Sequence, residues 1–135
     1  MRTTAGTGVH ELVSTTTFPR HIRVAPTARQ FVRQAAAGHP AADDAILVAA
    51  ELIANNLTHA ADATTIIIIV TVSEASIRVD VRDDGALGIP HMRPGDPDAE
   101  SGRGFRLVNQ LARRWGFIQE PGGSCCWAEI ASPAT

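Results

Sequence analysis

Thr64-Thr-Ile-Ile-Ile-Ile-Val-Thr-Val72 is the stretch on which the fold turns. Nine residues so rich in β-branched side chains read as a central, buried strand. A short turn follows at Ser73-Glu-Ala-Ser76. Ile77, Val79 and Val81 then alternate with Arg78, Asp80 and Arg82, the period of a half-buried partner strand.

Outward on the N-terminal side, residues 41 to 60 have helical spacing. Ile46, Ala50, Ile53 and Leu57 share one face, and Leu47, Val48, Leu52 and Ala54 widen the apolar surface. Only a narrow polar stripe remains: Asp44, Glu51, Asn55, Thr58 and His59. An ordinary exposed face is broader and more charged, so this helix is expected to be mostly buried with one polar seam. Before it, Ala28, Phe31, Val32 and Ala35 predict another helix, with Pro26 in its first turn and Gly38-His39-Pro40 ending it. Residues 14 to 24 read as a Thr-rich strand interrupted by Pro19, which suits an edge or a bulge. Residues 1–13 read as a flexible tail, leaving 14–135 as the domain.

On the C-terminal side, residues 85 to 102 form a long Gly-, Pro- and Asp-rich stretch with little periodicity. A loop of that length in a compact domain is usually functional or disordered. A third helix is expected over Arg103 to Arg114, with Phe105, Val108, Leu111 and Ala112 inward. Two strands, Trp115–Gln119 and Cys125–Ile130, close the chain around Glu120-Pro-Gly-Gly123. The order β-α-α-β-β-loop-α-β-β makes this an α+β fold, a mixed, mainly antiparallel sheet with helices on one face.

The chain has 135 residues, one domain by length, and 44% hydrophobic residues, as in a soluble globular protein. A net charge of -2 gives no reason to expect direct nucleic-acid or anionic-membrane binding. No apolar run reaches spanning length, and Met1 to Leu12 lacks a signal-peptide core, so a cytoplasmic location is expected. All twelve basic residues are arginine. Phosphate contacts must therefore come from arginine, backbone N–H groups or a metal ion. Adjacent Cys125 and Cys126 are too few for a metal site and read as buried thiols on opposite faces of a strand.

Three short polar segments sit inside this apolar frame. Glu51 and Asn55 are four apart, hence one turn apart on one helix face. There a carboxylate can take a proton and an amide oxygen can join a magnesium ion, which prefers few protein ligands beside phosphates and water. Asp83-Asp84-Gly85 follows a strand; its glycine permits a tight turn and the Asp83 carboxylate can accept from an exocyclic amine. Gly102-Arg103-Gly104 opens a helix, where backbone N–H groups and a guanidinium favour an anion. Alone, these segments read equally as a solvated seam, an Asp-Gly turn and a hinge. In this order they supply the parts of a nucleotide site.

Glu51-x-x-x-Asn55, Asp83-x-Gly85 and Gly102-x-Gly104 resemble the N, G1 and G2 boxes of the histidine-kinase-like ATPase superfamily. Within it, Glu51-Leu-Ile-Ala-Asn55 with His59-Ala60, the run Glu100-Ser-Gly-Arg-Gly-Phe-Arg-Leu-Val108, Leu111-Ala-Arg-Arg-Trp-Gly116 and Trp127-Ala-Glu129 resemble anti-sigma factor serine/threonine kinases. The resemblance covers Phe18 to Ile130. It implies a two-layer Bergerat ATP-binding fold with ATP and magnesium as ligands. It implies Glu51 as general base, Asn55 as magnesium ligand and Asp83 as reader of the adenine amine. Gly85 and Gly88 belong to the G1 turn, Gly102, Arg103 and Gly104 cradle phosphates, and residues 86 to 101 form a lid. The implied partners are a sigma factor and a STAS-type anti-anti-sigma factor, with homodimerisation.

Two features depart from the family pattern. One extra residue precedes the second glycine, Gly88, of the G1 box. Asn56 and Thr58 stand where the family more often has a small and a basic residue. The alternative function is a regulatory protein-binding module of the same fold with weak or no kinase activity. A catalytic domain from a sensor histidine kinase fits less well, because a separate dimerisation helix pair with a phosphoacceptor His is not found.

Overall fold

A computed structural model of the chain describes residues 2–6, 10–59, 62–85 and 102–133, with backbone only for 2–6, 59 and 102–104. Six strands, β1 (Arg2–Gly6), β2 (His10–Pro19), β3 (Thr65–Val72), β4 (Ser76–Asp83), β5 (Arg114–Glu120) and β6 (Gly123–Ala131), form one sheet. Their order is β1-β2-β3-β4-β6-β5, and every neighbouring pair is antiparallel. The helices are α1 (Ala25–Ala35), α2 (Ala42–His59) and α3 (Gly102–Leu111). This is the expected α+β architecture.

Alternation assigns the faces. Ile66, Ile68 and Val70 of β3, Ile77, Val79 and Val81 of β4, and Cys126, Ala128 and Ile130 of β6 point into the core. Val32 of α1, Val48, Leu52 and Ile53 of α2, and Val108 of α3 meet them from the helical layer. Each large side chain so buried stabilises the fold by roughly 1.5–3 kcal/mol before entropy is counted. The helices therefore cover one face of the sheet, and α2 lies across its centre.

Most boundaries fall within two residues of those read from the sequence. β2 is the larger exception. It begins at His10, so the boundary expected at residue 13 lies inside a strand, and Arg2–Gly6 pairs along it. Leu12 and Val13 pair with Val72 and Thr71 of β3, and His10 and Glu11 pair with Gly6 and Ala5 of β1, which is why the strand extends. The third helix also stops three residues early, at Leu111 rather than Arg114. There the backbone N–H of Arg113 donates to the carbonyl of Glu129 of β6 at 2.7 Å, so the chain leaves the helix and runs on as β5. The buried fraction of α2 is smaller than expected, since Leu47 is 49% exposed and Ala54 is exposed. Both flank Glu51 and Thr58 on the stripe facing away from the sheet.

Cys125 and Cys126 are free thiols, both buried. Burial pushes each up to about 12, with the nearby Asp80 carboxylate adding to the effect. On the face without helices, Arg78 makes two hydrogen bonds to Asp80 and lies 4.4 Å over the Trp127 ring. Among the described residues no helix is long and apolar enough to cross a membrane.

Candidate functional site

The site is built on the last turns of α2. Glu51 and Asn55 are half-buried there, one turn apart, on the rim between the exposed stripe and the core. Among the described residues Glu51 has no hydrogen-bond or ion-pair partner. The side-chain oxygen of Asn55, Oδ1, is buried and accepts no hydrogen bond.

The next residue ties this helix to the sheet. Asn56 is only 7% exposed, and its Nδ2 donates to Asp83 Oδ2 at 2.6 Å. Asp83, the last residue of β4, is also buried. Ser124 Oγ donates to the same Oδ2 at 2.9 Å from the directly opposed position on β6. The backbone N–H of Gly85 donates to the other oxygen, Oδ1, at 2.8 Å. A carboxylate has about four acceptor sites, so one remains, on Oδ1.

Two glycines make this geometry possible. A Cβ on Gly85 would lie 2.7 Å from Asp62 Oδ1 and 3.1 Å from Asp83 Oδ1. A Cβ on Gly123 would lie 1.8 Å from the Asp83 carbonyl oxygen, which no side-chain adjustment can relieve. Asp84 serves the turn rather than the site. Its carboxylate accepts from the Thr64 hydroxyl and from the backbone N–H groups of Thr64 and Thr65 at 2.7 and 2.9 Å. The Thr64 hydroxyl first, then those N–H groups, hold it well below the usual carboxylate range.

Arg20 closes the other side. Its Nη2 donates to the carbonyls of Asn56 and Leu57 at 3.1 and 2.7 Å, satisfying groups near the C-terminus of α2. Its Nε is buried without a partner. Among the described residues the unpartnered buried side-chain polar atoms are Arg20 Nε, Asn55 Oδ1 and Asn56 Oδ1. All three belong to residues that meet at the end of α2. Such atoms are rare in native interiors and call for a ligand or water.

The phosphate-side segment is placed by backbone. Gly102 is the first residue of α3, and the first turn holds no acidic residue, which suits an anion at the helix N-terminus. The side chain of Arg103 and the whole of Gly88 lie outside the described residues, as does the expected lid over 86 to 101. Thr58 turns its hydroxyl back to the Ala54 carbonyl at 2.8 Å. An open groove at this end of the sheet has Asp83 and Gly123 in its lining, with Ile67, Arg82, Asp84 and Glu120. Its Arg82 guanidinium is already paired with Glu120, so it makes a poor phosphate site.

Glu51, Asn55, Asp83 and Gly85 are thus joined through one hydrogen bond between residues 27 apart in sequence. The sequence reading missed the working roles of Ser124 and Gly123, and took Asn56 only as a departure. Asn56 carries a readable signal: it is four residues from Leu52 and three from Ile53, both fully buried, so its amide must find a partner inside.

The chemistry of this donor set can be tested against a nucleotide and magnesium. A buried, unmet amide oxygen is a hard donor of the kind magnesium takes. An acceptor site left open on a fixed carboxylate suits an exocyclic amine. Both fit. Among the described residues no group of three or more His, Cys, Asp or Glu side chains is placed to hold a metal by itself.

A family model described as the histidine kinase-like ATPase domain matches residues 18–130. Among solved structures, the RsbU and RsbW domains of Rv1364c from Mycobacterium tuberculosis are similar, with a TM-score of 0.64 and 17% identity. That match covers 90% of this chain and 33% of the other, so the chain spans about a third of its length. At this identity the likeness establishes the fold. No curated protein matches the chain.

Proposed function

Since the chain belongs to the histidine kinase-like ATPase domain family, we propose that it is an ATP-binding anti-sigma factor with serine/threonine-protein kinase activity. It sequesters a sigma factor and phosphorylates a STAS-type anti-anti-sigma factor. The observation that supports this reading is the Asn56–Asp83 bond, which ties the helix carrying Glu51 and Asn55 to the strand end carrying Asp83.

Each residue then has a role. Asp83 Oδ1 accepts from the adenine amine. The N–H groups at the start of α3, with Arg103, receive the phosphates. Asn55 Oδ1 is the protein's ligand to magnesium, which supplies charge neutralisation at the phosphates. Glu51, uncommitted to any partner among the described residues, takes the proton of the partner's serine hydroxyl. The serine oxygen forms its bond to the γ-phosphorus as the bond to the ADP oxygen breaks. The protein works in the cytoplasm as a homodimer in this reading.

A transfer assay tests it: labelled ATP, magnesium and an anti-anti-sigma protein encoded near this chain. Phosphate appears on a serine of the partner, and Glu51→Gln slows transfer by about 10²–10⁴-fold. Full-rate transfer by Glu51→Gln would remove Glu51 as the base. The second reading, a protein-binding module with weak or no kinase activity, is favoured by Thr58, whose hydroxyl is spent on its own helix and brings no charge to the site. Partner capture unchanged by nucleotide, with no transfer by the wild type, would establish it.

A further inference from the structure

Asn56 does more than join helix to sheet. Its Nδ2 and the Ser124 hydroxyl both donate to Asp83 Oδ2, at 2.6 and 2.9 Å. Two donors fill the two acceptor positions of that oxygen. Oδ1 has one position taken by the Gly85 N–H at 2.8 Å. Counted over the described residues, the carboxylate therefore offers a ligand a single acceptor on one oxygen.

That count bears on base identity. An adenine presents one exocyclic amine beside a ring nitrogen that is itself an acceptor. A guanine presents an amine and a ring N–H side by side, two donors that a carboxylate meets with both oxygens. With Oδ2 closed, one guanine donor would be buried without an acceptor, the kind of mismatch that gives strong discrimination.

The amide is oriented for this task. Only Nδ2 can face a carboxylate, since Oδ1 in its place would set acceptor against acceptor. Oδ1 of Asn56 is left buried and unpartnered. Among the described residues the one side-chain hydrogen bond of this amide is to Asp83. Residue 56 is also where this chain departs from the small residue of the family pattern.

We propose that Asn56 is a positioning residue for base selectivity: it closes Asp83 Oδ2 and so fits the site to adenine and against guanine. This rests on the reading of Asp83 as the base-reading carboxylate.

Calorimetric titration of the full chain with ATP and with GTP, each with magnesium, tests it in the wild type, Asn56→Ala and Ser124→Ala. The wild type prefers ATP by about 100-fold or more. In Asn56→Ala the affinity for GTP rises relative to that for ATP, so the ATP/GTP ratio falls about tenfold. Ser124→Ala opens the same oxygen and shifts the ratio the same way; it decides the matter if Asn56→Ala does not fold. If both affinities weaken in parallel with the ratio unchanged, Asn56 only props the helix, and the proposal fails. A wild type that binds ATP and GTP equally also overturns it, while leaving nucleotide binding intact. A wild type that binds neither overturns this proposal together with the reading of Asp83.

Discussion

Asp83 is held from three directions before any ligand arrives, by Asn56, Ser124 and the Gly85 N–H. Its backbone is held as tightly, because Gly123 lies against its carbonyl. Gly123→Ala would force β4 and β6 apart at the site itself. We expect it to cost about 3 kcal/mol or more in urea unfolding. Gly85→Ala meets side-chain atoms of Asp62, Asp83 and Ala63 at 2.7–3.3 Å and no backbone atom, so its loss of stability is smaller. Equal losses in the two variants would show that the β4–β6 contact is more compliant than described. Glu51, Asn55 and Asp83 could be singled out as candidates because each sits in a local pattern, a helix turn or a strand end. Ser124 and Gly123 were not. Their roles depend on the pairing Asp83↔Ser124 across 41 residues, and no local pattern encodes a register between strands.

At the scale of elements, α2 is the carrier and the strands around it are the clamp. The apolar spacing of α2 and the β-branched run of β3 were readable because burial imposes their periods. The end of α3 was not, because Arg113 and Arg114 are good helix residues by propensity. Tertiary bonding overrides that preference. Arg113 and Arg114 both donate to the Glu129 carboxylate, at 2.6–2.9 Å and 3.0–3.2 Å, and turn the chain into β5. Those bonds, from Arg114 first and then Arg113, lower the Glu129 pKa in the folded protein. A depressed carboxylate adds stability above its unfolded value, near 4.3, and loses it as pH falls through the folded value. Glu129→Gln is therefore expected to be less stable than the wild type by about 1–2 kcal/mol at pH 7, a figure kept low because both arginines are half-exposed or more. Urea unfolding from pH 7 to 3 should show the gap persisting into the ordinary carboxylate range and closing below it. A gap independent of pH would mean that the clamp works by packing and not by charge.

At the scale of the whole molecule, the two layers do different work. The sheet supplies a fixed floor in which β6 is inserted between β4 and β5. The helical layer packs α2 above it, against α3. Chemistry gathers at the end of the sheet where β4 stops and α2 ends, and the buried unpartnered atoms lie there too. The fold class followed from element order alone. The site needed the structure, because separate segments become one place only when α2 lies across β4 and β6. The central claim is that this place binds ATP through magnesium held by Asn55. Calorimetric titration of the purified protein with ATP, with and without magnesium, beside Asn55→Ala, tests it most directly. Saturable binding that needs magnesium and is lost in Asn55→Ala is the expected result. Binding that ignores both magnesium and the substitution, or no binding by the wild type, would contradict it.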